Sequence, residues 1–225
     1  MREEEVVVLQ RQELFHGVSR QEILPLLHCL EAAEKTYQKG EFISCTEDTI
    51  RWIGIILKGS VRMVKTDWWG NNTILASMNQ DEIFGESFAC GSRKQSFVSF
   101  QAAEEAKVLF LQFDKVLHTC SKVCTFHQKL TENMVSVIAH KNLCLMEKIE
   151  ITSKKTIREK VYTYLCNQAQ KEESAYITIP MGRVELAEYL GVDRSALSRE
   201  LKNMKEQGII DFHKDTFRIL GKFAD

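Results

Sequence analysis

Between Lys115 and Ile179 the chain contains neither glycine nor proline, whereas from Tyr37 to Phe113 glycine recurs at short intervals. No other feature limits the fold as strongly. Glycine and proline punctuate regular structure, so the interrupted stretch reads as short strands joined by turns and the uninterrupted one as long helix. The strand segments are Glu41 to Ser44, Trp52 to Leu57, Ser60 to Lys65, Thr73 to Met78, Ser96 to Gln101 and Val108 to Phe113, rich in Val, Ile, Phe and Thr. Lys39-Gly40, Lys58-Gly59, Gly70-Asn71-Asn72 and Gly91-Ser92 separate them as turns. Short strands at this spacing predict an antiparallel barrel or sandwich. Trp68-Trp69 falls at a hairpin tip, where it is expected to be exposed and to pack on a neighbour.

Past Asp114 the apolar residues recur at three and four. Leu130, Met134, Val137, Ile138, Lys141 and Leu145 trace one stripe, and Leu130, Val137, Cys144 and Ile151 stand at sevens. Such a stripe serves either a core helix lying against the sheet or a helix that pairs with its twin in a second subunit. A helix from Cys124 to Lys148 is about 37 Å long at 1.5 Å per residue, which overhangs a small barrel and favours the paired arrangement. A boundary near residue 150 follows from charge as well. Residues 151–225 carry 13 basic and 11 acidic side chains against 17 and 20 in residues 1–150, and Lys154, Lys155, Arg158 and Lys160 cluster at the junction.

With 225 residues, 44% hydrophobic and 27% charged, the chain suits one large or two small domains and excludes collagen-like, low-complexity and mostly disordered classes. Its net charge of −1 means that any nucleic-acid binding must come from a local patch. Apolar runs such as Val6 to Leu9 and Ile53 to Leu57 fall far short of the roughly 18 residues needed to span a bilayer. The opening Met1-Arg2-Glu3-Glu4-Glu5 lacks the pattern of a secretory signal, so a cytoplasmic location is expected. The seven cysteines are odd in number and scattered, which fits reduced, buried thiols. Enzyme chemistry finds no foothold: there is no phosphate-cradling glycine loop, nucleophile elbow or helical His-Glu-x-x-His.

The segment from Ile179 to Ile210 carries the chemistry. A helix over Arg183 to Leu190, with Val184, Ala187 and Leu190 inward, meets the turn Gly191-Val192-Asp193 and then a second helix over Arg194 to Gln207. Gly191 can take the positive φ of a sharp turn, and Asp193 can accept hydrogen bonds from the free amides of the second helix. This is helix-turn-helix spacing. Val192, Ala196, Leu197, Leu201 and Met204 form the second helix's inner face; Arg194, Ser195, Ser198, Arg199 and Lys202 form its outer face, with Glu200 to one side. Guanidinium groups can bond guanine O6 and N7 in pairs, and hydroxyl and ammonium groups can reach bases or phosphates, so this face suits the major groove. Ile209 to Phe212 and Thr216 to Leu220, flanking His213-Lys214-Asp215, predict a two-stranded wing.

The order of these parts resembles the cyclic AMP receptor / fumarate-nitrate regulator (CRP/FNR) family of bacterial transcription factors over nearly the whole chain. The matching motifs are Lys39-Gly40-Glu41-Phe42-Ile43, Ile55-Ile56-Leu57-Lys58-Gly59-Ser60-Val61-Arg62, Ile83-Phe84-Gly85-Glu86 and Gly191-Val192-Asp193-Arg194-Ser195-Ala196-Leu197-Ser198-Arg199. The resemblance implies an α+β protein: an effector-sensing, cyclic-nucleotide-binding-like β-roll (jelly roll) with N-terminal helices over 1–113, a dimerisation helix over 114–150 and a winged helix over 151–225. It implies a homodimer that binds an inverted repeat of double-stranded DNA, responds to a small-molecule or redox effector and engages RNA polymerase. It further implies that Arg194 and Arg199 read DNA with Ser195 facing a base. The cyclic AMP receptor has Glu there, accepting from a cytosine amine, so the recognition sequence is expected to differ.

The effector pocket implied by the resemblance involves Gly85, Glu86, Ser87, Ser96, Phe97, Leu143 and Cys144. Cyclic nucleotide binders hold the ribose with a Glu like Glu86 and the phosphate with an Arg followed by Ser or Thr about ten residues on. Here that place falls in Lys94-Gln95-Ser96-Phe97 without an Arg in register, and Arg93 would need a shift. The adenine-contacting hydroxyl pair is replaced by Leu143-Cys144. A buried phosphodiester without its Arg is poorly compensated, so an effector other than cyclic AMP is expected. Iron–sulfur sensors of the family use an N-terminal cysteine cluster, but no cysteine precedes Cys29. Cys120-x3-Cys124-x2-His127 places three candidate ligands on one helical face, where they could bind a metal or haem or form an oxidisable thiol pair, although this is no standard zinc spacing. A module of the same build that senses a cyclic nucleotide, metal or redox state and acts through a protein partner is the second reading.

Overall fold

The computed structural model describes residues 3–117, 125–179 and 181–221. The chain divides into two compact units, 1–140 and 141–225.

The first unit opens with α1 (Glu3–Arg11), a single 3-10 turn at Glu13–Phe15 and α2 (Arg20–Cys29). Ser19 and Glu22 form a capping box at the start of α2: the Glu22 carboxylate accepts from the Ser19 amide at 2.7 Å. Eight strands follow: β1 (Ala33–Tyr37), β2 (Phe42–Ser44), β3 (Trp52–Lys58), β4 (Val61–Thr66), β5 (Asn72–Met78), β6 (Ile83–Phe84), β7 (Ser99–Ala102) and β8 (Ala106–Gln112), with α3 (Glu86–Cys90) between β6 and β7 and α4 (Phe113–Leu117) after β8. They form two antiparallel four-stranded sheets, ordered β1-β8-β3-β6 and β2-β7-β4-β5. Ile53, Ile55 and Val108 from one sheet share a core with Val61 and Phe100 from the other and with Leu9, Phe15 and Ile23 from the N-terminal helices. The expected roll is therefore present, and its tightest turn depends on Gly59. That residue has φ +81°, and a Cβ there would lie 2.2 Å from the Glu105 carbonyl oxygen. Lys107 on β8 reaches Glu5 of α1 and Glu34 of β1, each at 2.5 Å, and so ties the N-terminal helix to the sheet. Trp68 and Trp69, at the β4–β5 tip, are 97% and 85% exposed.

The 29-residue helix α5 (Thr125–Ser153) runs from the first unit into the second. Its stripe divides in a way that the spacing alone does not show. Leu130, Met134 and Val137 are buried in the core of the roll, and Ile151 is buried in the core of the second unit. The exposed apolar residues are Val135, Ile138, Leu143, Leu145, Met146 and Ile149.

The second unit continues with α6 (Ile157–Glu172), β9 (Tyr176–Thr178), α7 (Arg183–Leu190), α8 (Arg194–Glu206), β10 (Ile210–His213) and β11 (Thr216–Ile219). Its core joins Val161, Tyr164 and Leu165 of α6 to Leu186, Ala187 and Leu190 of α7, Leu197, Leu201 and Met204 of α8, and Phe217 of β11. The wing has three strands rather than two, in the order β10-β11-β9, because Tyr176–Thr178 pairs with Thr216–Arg218. Val184, expected inside, is 49% exposed. The neighbouring turn position Leu186 takes its place, which rotates the buried face of α7. The cysteines also depart from expectation: Cys45, Cys90 and Cys144 are exposed, and Cys29 and Cys166 are half-buried. None of these five lies on an inward-facing strand position, where a small thiol would be sequestered. Among the described residues no helix is long and apolar enough to cross a membrane.

Candidate nucleic-acid interface

Helix α8 is set by its first three residues and by what lies beneath it. Gly191 adopts φ +63° and ψ +49°, the left-handed geometry that ends α7, and its backbone amide points back to the carbonyls of Ala187 and Glu188. Two residues later the Asp193 Oδ1 accepts from the amides of Ser195 and Ala196, both at 2.9 Å, capping the new helix. These bonds, together with the Ser195 hydroxyl, hold the Asp193 carboxyl below the usual range, with the hydroxyl making the largest contribution. Leu197, Leu201 and Met204 are fully buried, while Val192 and Ala196 are half-buried. Each fully buried apolar side chain contributes about 1.5–3 kcal/mol toward fixing the orientation of the helix.

The opposite face is open. Arg194, Ser195, Ser198, Arg199 and Lys202 are all exposed. The Ser198 hydroxyl donates to the Arg194 carbonyl at 3.0 Å, one turn back. Lys202 makes only a loose, exposed pair with Glu206 at 3.7 Å, which leaves its ammonium available to a phosphate. The structure thus gathers all five expected side chains on one solvent-facing surface.

Three other basic groups of the second unit, two of them from the cluster at the junction, are used internally. Arg158 Nε donates to Glu200 at 2.5 Å and its Nη1 to the Gln207 side-chain oxygen at 2.9 Å, which joins α6 to α8 and accounts for the carboxylate at position 200. Lys160 donates to the Leu190 carbonyl at 3.2 Å, at the C-terminal end of α7. Arg183 lies 4.8 Å from the centre of the Phe217 ring and 5.1 Å from that of Phe212, and donates to the Lys214 carbonyl at 2.7 Å, so it holds the wing against α7. Burial among these rings lowers the Arg183 pKa. Charge alone could not separate these supporting cations from the outward ones, because their partners come from elements distant in sequence.

In the roll, Gly85 takes φ +83° at the start of α3, where a Cβ would press on the Trp52 ring at 2.9 Å. Glu86 is buried, and the Ser87 hydroxyl donates to its Oε1 at 3.1 Å, while Ser87 itself is exposed. Ser96 is also buried, but its hydroxyl is used locally, donating to the Val98 carbonyl at 2.7 Å and accepting from the Val98 amide at 3.2 Å. Phe97 is 59% exposed, with its ring edge-on to Phe88 at 5.3 Å between centres, so this stretch does lie beside α3. Arg93 is exposed, and Lys94 pairs with Asp114 at 3.5 Å. Trp52 packs against Phe84, Phe100 and Phe110 with ring centres 4.9–6.4 Å apart, filling the interior next to Gly85 with aromatic rings. Leu143 and Cys144 are exposed positions of α5 in the second unit. Of the Cys120, Cys124 and His127 set, the two cysteines lie outside the described residues; His127 is buried, and its Nδ1 has no hydrogen-bond partner among the described residues.

Residues 34–122 match the cyclic nucleotide-binding domain, and residues 159–222 match the Crp-like helix-turn-helix domain. The chain is 23% identical over 173 residues to the cAMP-activated global transcriptional regulator CRP of Salmonella typhimurium, covering 74% of this chain and 79% of that protein. It is 22% identical over 189 residues to the transcriptional activator protein FnrA of Stutzerimonas stutzeri, covering 81% and 75%. A solved structure of a CooA mutant from Carboxydothermus hydrogenoformans shares the fold with a TM-score of 0.57 at 19% identity, covering 93% of this chain and 95% of that one. The cyclic nucleotide-binding-domain match, the helix-turn-helix match and the open basic face of α8 agree, and the chain belongs to the CRP/FNR family of DNA-binding transcription regulators, a family of regulators and not of enzymes.

Proposed function

We propose that the protein acts in the cytoplasm as a homodimer on an inverted-repeat DNA site, inserting one α8 into each of two successive major grooves, and that its effector is not cyclic AMP. The observation that carries this reading is the outer face of α8, where Arg194, Ser195, Ser198, Arg199 and Lys202 are exposed on a helix that is capped and buried on its other side. Arg194 and Arg199 would supply base contacts with Ser195 between them, and Lys202 a phosphate contact. Two-fold symmetry would place the half-sites about one helical turn apart.

Support for the dimer comes from α5. Val135, Asn142 and Ile149 stand at sevens, as do Ile138, Leu145 and Thr152, and all six are exposed. These are a and d positions, with β-branched residues at a and a polar Asn at the central a, a combination that favours a two-stranded, in-register pair. Residues 1–113 would then sense, 114–150 pair and 151–225 bind DNA, with RNA polymerase as the partner downstream. Against cyclic AMP stand the missing Arg, the local use of the Ser96 hydroxyl and the aromatic filling around Trp52. An effector would work by population shift, through its difference in affinity for the DNA-competent and incompetent dimers.

Selection of binding sites from random duplex DNA tests this, run on reduced, metal-stripped protein, on protein as isolated, and with cyclic AMP added. An inverted repeat whose enrichment does not depend on cyclic AMP is the expected result. Enrichment only with cyclic AMP would overturn the effector reading, and no enrichment in any preparation would overturn the DNA-binding one. Enrichment only with protein as isolated would make Cys120, Cys124 and His127 the next residues to replace.

A further inference from the structure

We propose that Ser195 reads DNA only as a hydrogen-bond acceptor, that Asp193 fixes it in that role, and that it therefore selects a base presenting an amine in the major groove, cytosine or adenine. This rests on the reading of α8 as the recognition helix.

The geometry supplies the argument. The Ser195 Oγ lies 2.5 Å from the Asp193 Oδ1, and the same oxygen accepts from the amides of Ser195 and Ala196. An ionised carboxylate can only accept, so the proton in the short contact belongs to the serine. Three donors on one carboxylate oxygen keep Asp193 ionised through the neutral range. The single proton of the Ser195 hydroxyl is thus directed into the protein, and the exposed side of its oxygen offers lone pairs.

A serine on a recognition helix is ordinarily ambivalent, donating or accepting as the base requires. Here the cap residue removes the ambivalence. In the major groove cytosine N4 and adenine N6 are donors, whereas guanine O6 and N7 and thymine O4 accept. An acceptor-only hydroxyl bonds the first pair and leaves the second facing lone pairs. The charge of Asp193 behind the hydroxyl polarises it further, so the two side chains together present a short acceptor with part of a carboxylate's character. The base edge selected is then of the same class that a glutamate at this position would accept from, at shorter reach.

The test begins with the selected inverted repeat. Selection is repeated with Ser195→Ala, Ser195→Glu and Asp193→Asn, and affinities are measured on duplexes in which the amine at the Ser195-dependent position is replaced by hydrogen, using 2-pyrimidinone for cytosine or unsubstituted purine for adenine. The expected site has cytosine or adenine at one position per half-site, with the preference lost in Ser195→Ala and kept in Ser195→Glu. Removing the amine should weaken the native protein roughly 5- to 30-fold and Ser195→Ala less than about twofold. Asp193→Asn keeps an acceptor for the helix amides but also offers an amide donor, so the hydroxyl can turn, and discrimination against guanine and thymine at that position should fall to within about threefold. Guanine or thymine at the Ser195-dependent position, affinity that does not change on removal of the amine, or full discrimination in Asp193→Asn would each overturn the proposal. If the native protein selects no site at all, the regulator reading fails and the proposal falls with it, an outcome distinct from a site that ignores Ser195. Position 195 is exposed, so its variants should retain the native circular dichroism.

Discussion

Arg158 and Arg199 are both basic side chains of the second unit, and their environments give them opposite roles. Arg158 is two-thirds or more covered and bonded to Glu200 and Gln207, whereas Arg199 is exposed on the outer face of α8. Arg158→Ala should therefore destabilise the second unit by about 1–3 kcal/mol, because it strands the half-buried Glu200 carboxylate. Arg194→Ala and Arg199→Ala should leave thermal unfolding unchanged and cost about 1–3 kcal/mol of site binding for each lost base contact. Parallel thermal melts and DNA titrations on the three variants separate the roles. Tyr164 offers a second check at this scale. Burial first, then the neighbouring Tyr189 and Glu172, push its pKa up to about 12 from the ordinary value near 10. The folded state thus holds its phenolic proton more tightly than the unfolded chain. The stabilisation is complete below pH 10 and is lost as pH rises toward 12. Thermal melts of the second unit between pH 9 and 11.5 should show this decline, with a shallower slope in Tyr164→Phe.

Helix α5 shows why an apolar stripe is not yet an interface. Of Leu130, Val137, Cys144 and Ile151, which stand at sevens, all but the exposed Cys144 are buried within the cores of the chain's own two units. The exposed set, Val135, Ile138, Leu145 and Ile149, follows the same period at a different phase, with Asn142 at its centre. Both sets are in the sequence, but spacing cannot say which faces a core, since the period is common to both. If α5 pairs as proposed, Leu145→Asp should yield monomer in sedimentation analysis, where the native chain sediments as a dimer, while each unit stays folded. Asn142→Val should strengthen association and broaden the distribution of oligomers, because a single polar a position sets register at a cost in stability. Strands were more legible. Each of the six segments read from the sequence overlaps a strand, because alternation and glycine turns are local signals. Ala33–Tyr37, the short Ile83–Phe84 and the third wing strand Tyr176–Thr178 carry little alternation and owe their state to pairing with β8, β3 and β11.

At the scale of the whole molecule a net charge of −1 hides a polarity that DNA would detect. Binding should weaken steeply with salt, log K falling linearly with log salt as phosphate contacts release counterions. Lys202→Ala should lower that slope by about one for each subunit without altering the preferred sequence, since a phosphate contact carries no base information. Fluorescence anisotropy at several salt concentrations measures both. Saturating cyclic AMP should leave these curves in place, because the roll has no arginine at the phosphate position and its interior beside Gly85 is occupied by Trp52, Phe84 and Phe100.

The amino-acid sequence by itself determined the order of roll, long helix and winged helix, the limits of α7, and the cap and outer face of α8. Each of these depends on signals within about one helical turn or one strand: a glycine that permits positive φ, an aspartate one residue before a helix, an alternation or a period. Tertiary structure alone decided which cations remained available and which face of α5 stayed open. It also decided that the Ser96 hydroxyl is turned onto the Val98 backbone while the buried Glu86 accepts from Ser87. The physical reason is that the bonds a charge or hydroxyl makes within the fold decide whether, and as donor or acceptor, it can meet a ligand. The groups that satisfy Arg158, Lys160 and Arg183 lie some 30 to 50 residues away, at Glu200 and Gln207, Leu190 and Lys214, beyond the reach of any local pattern.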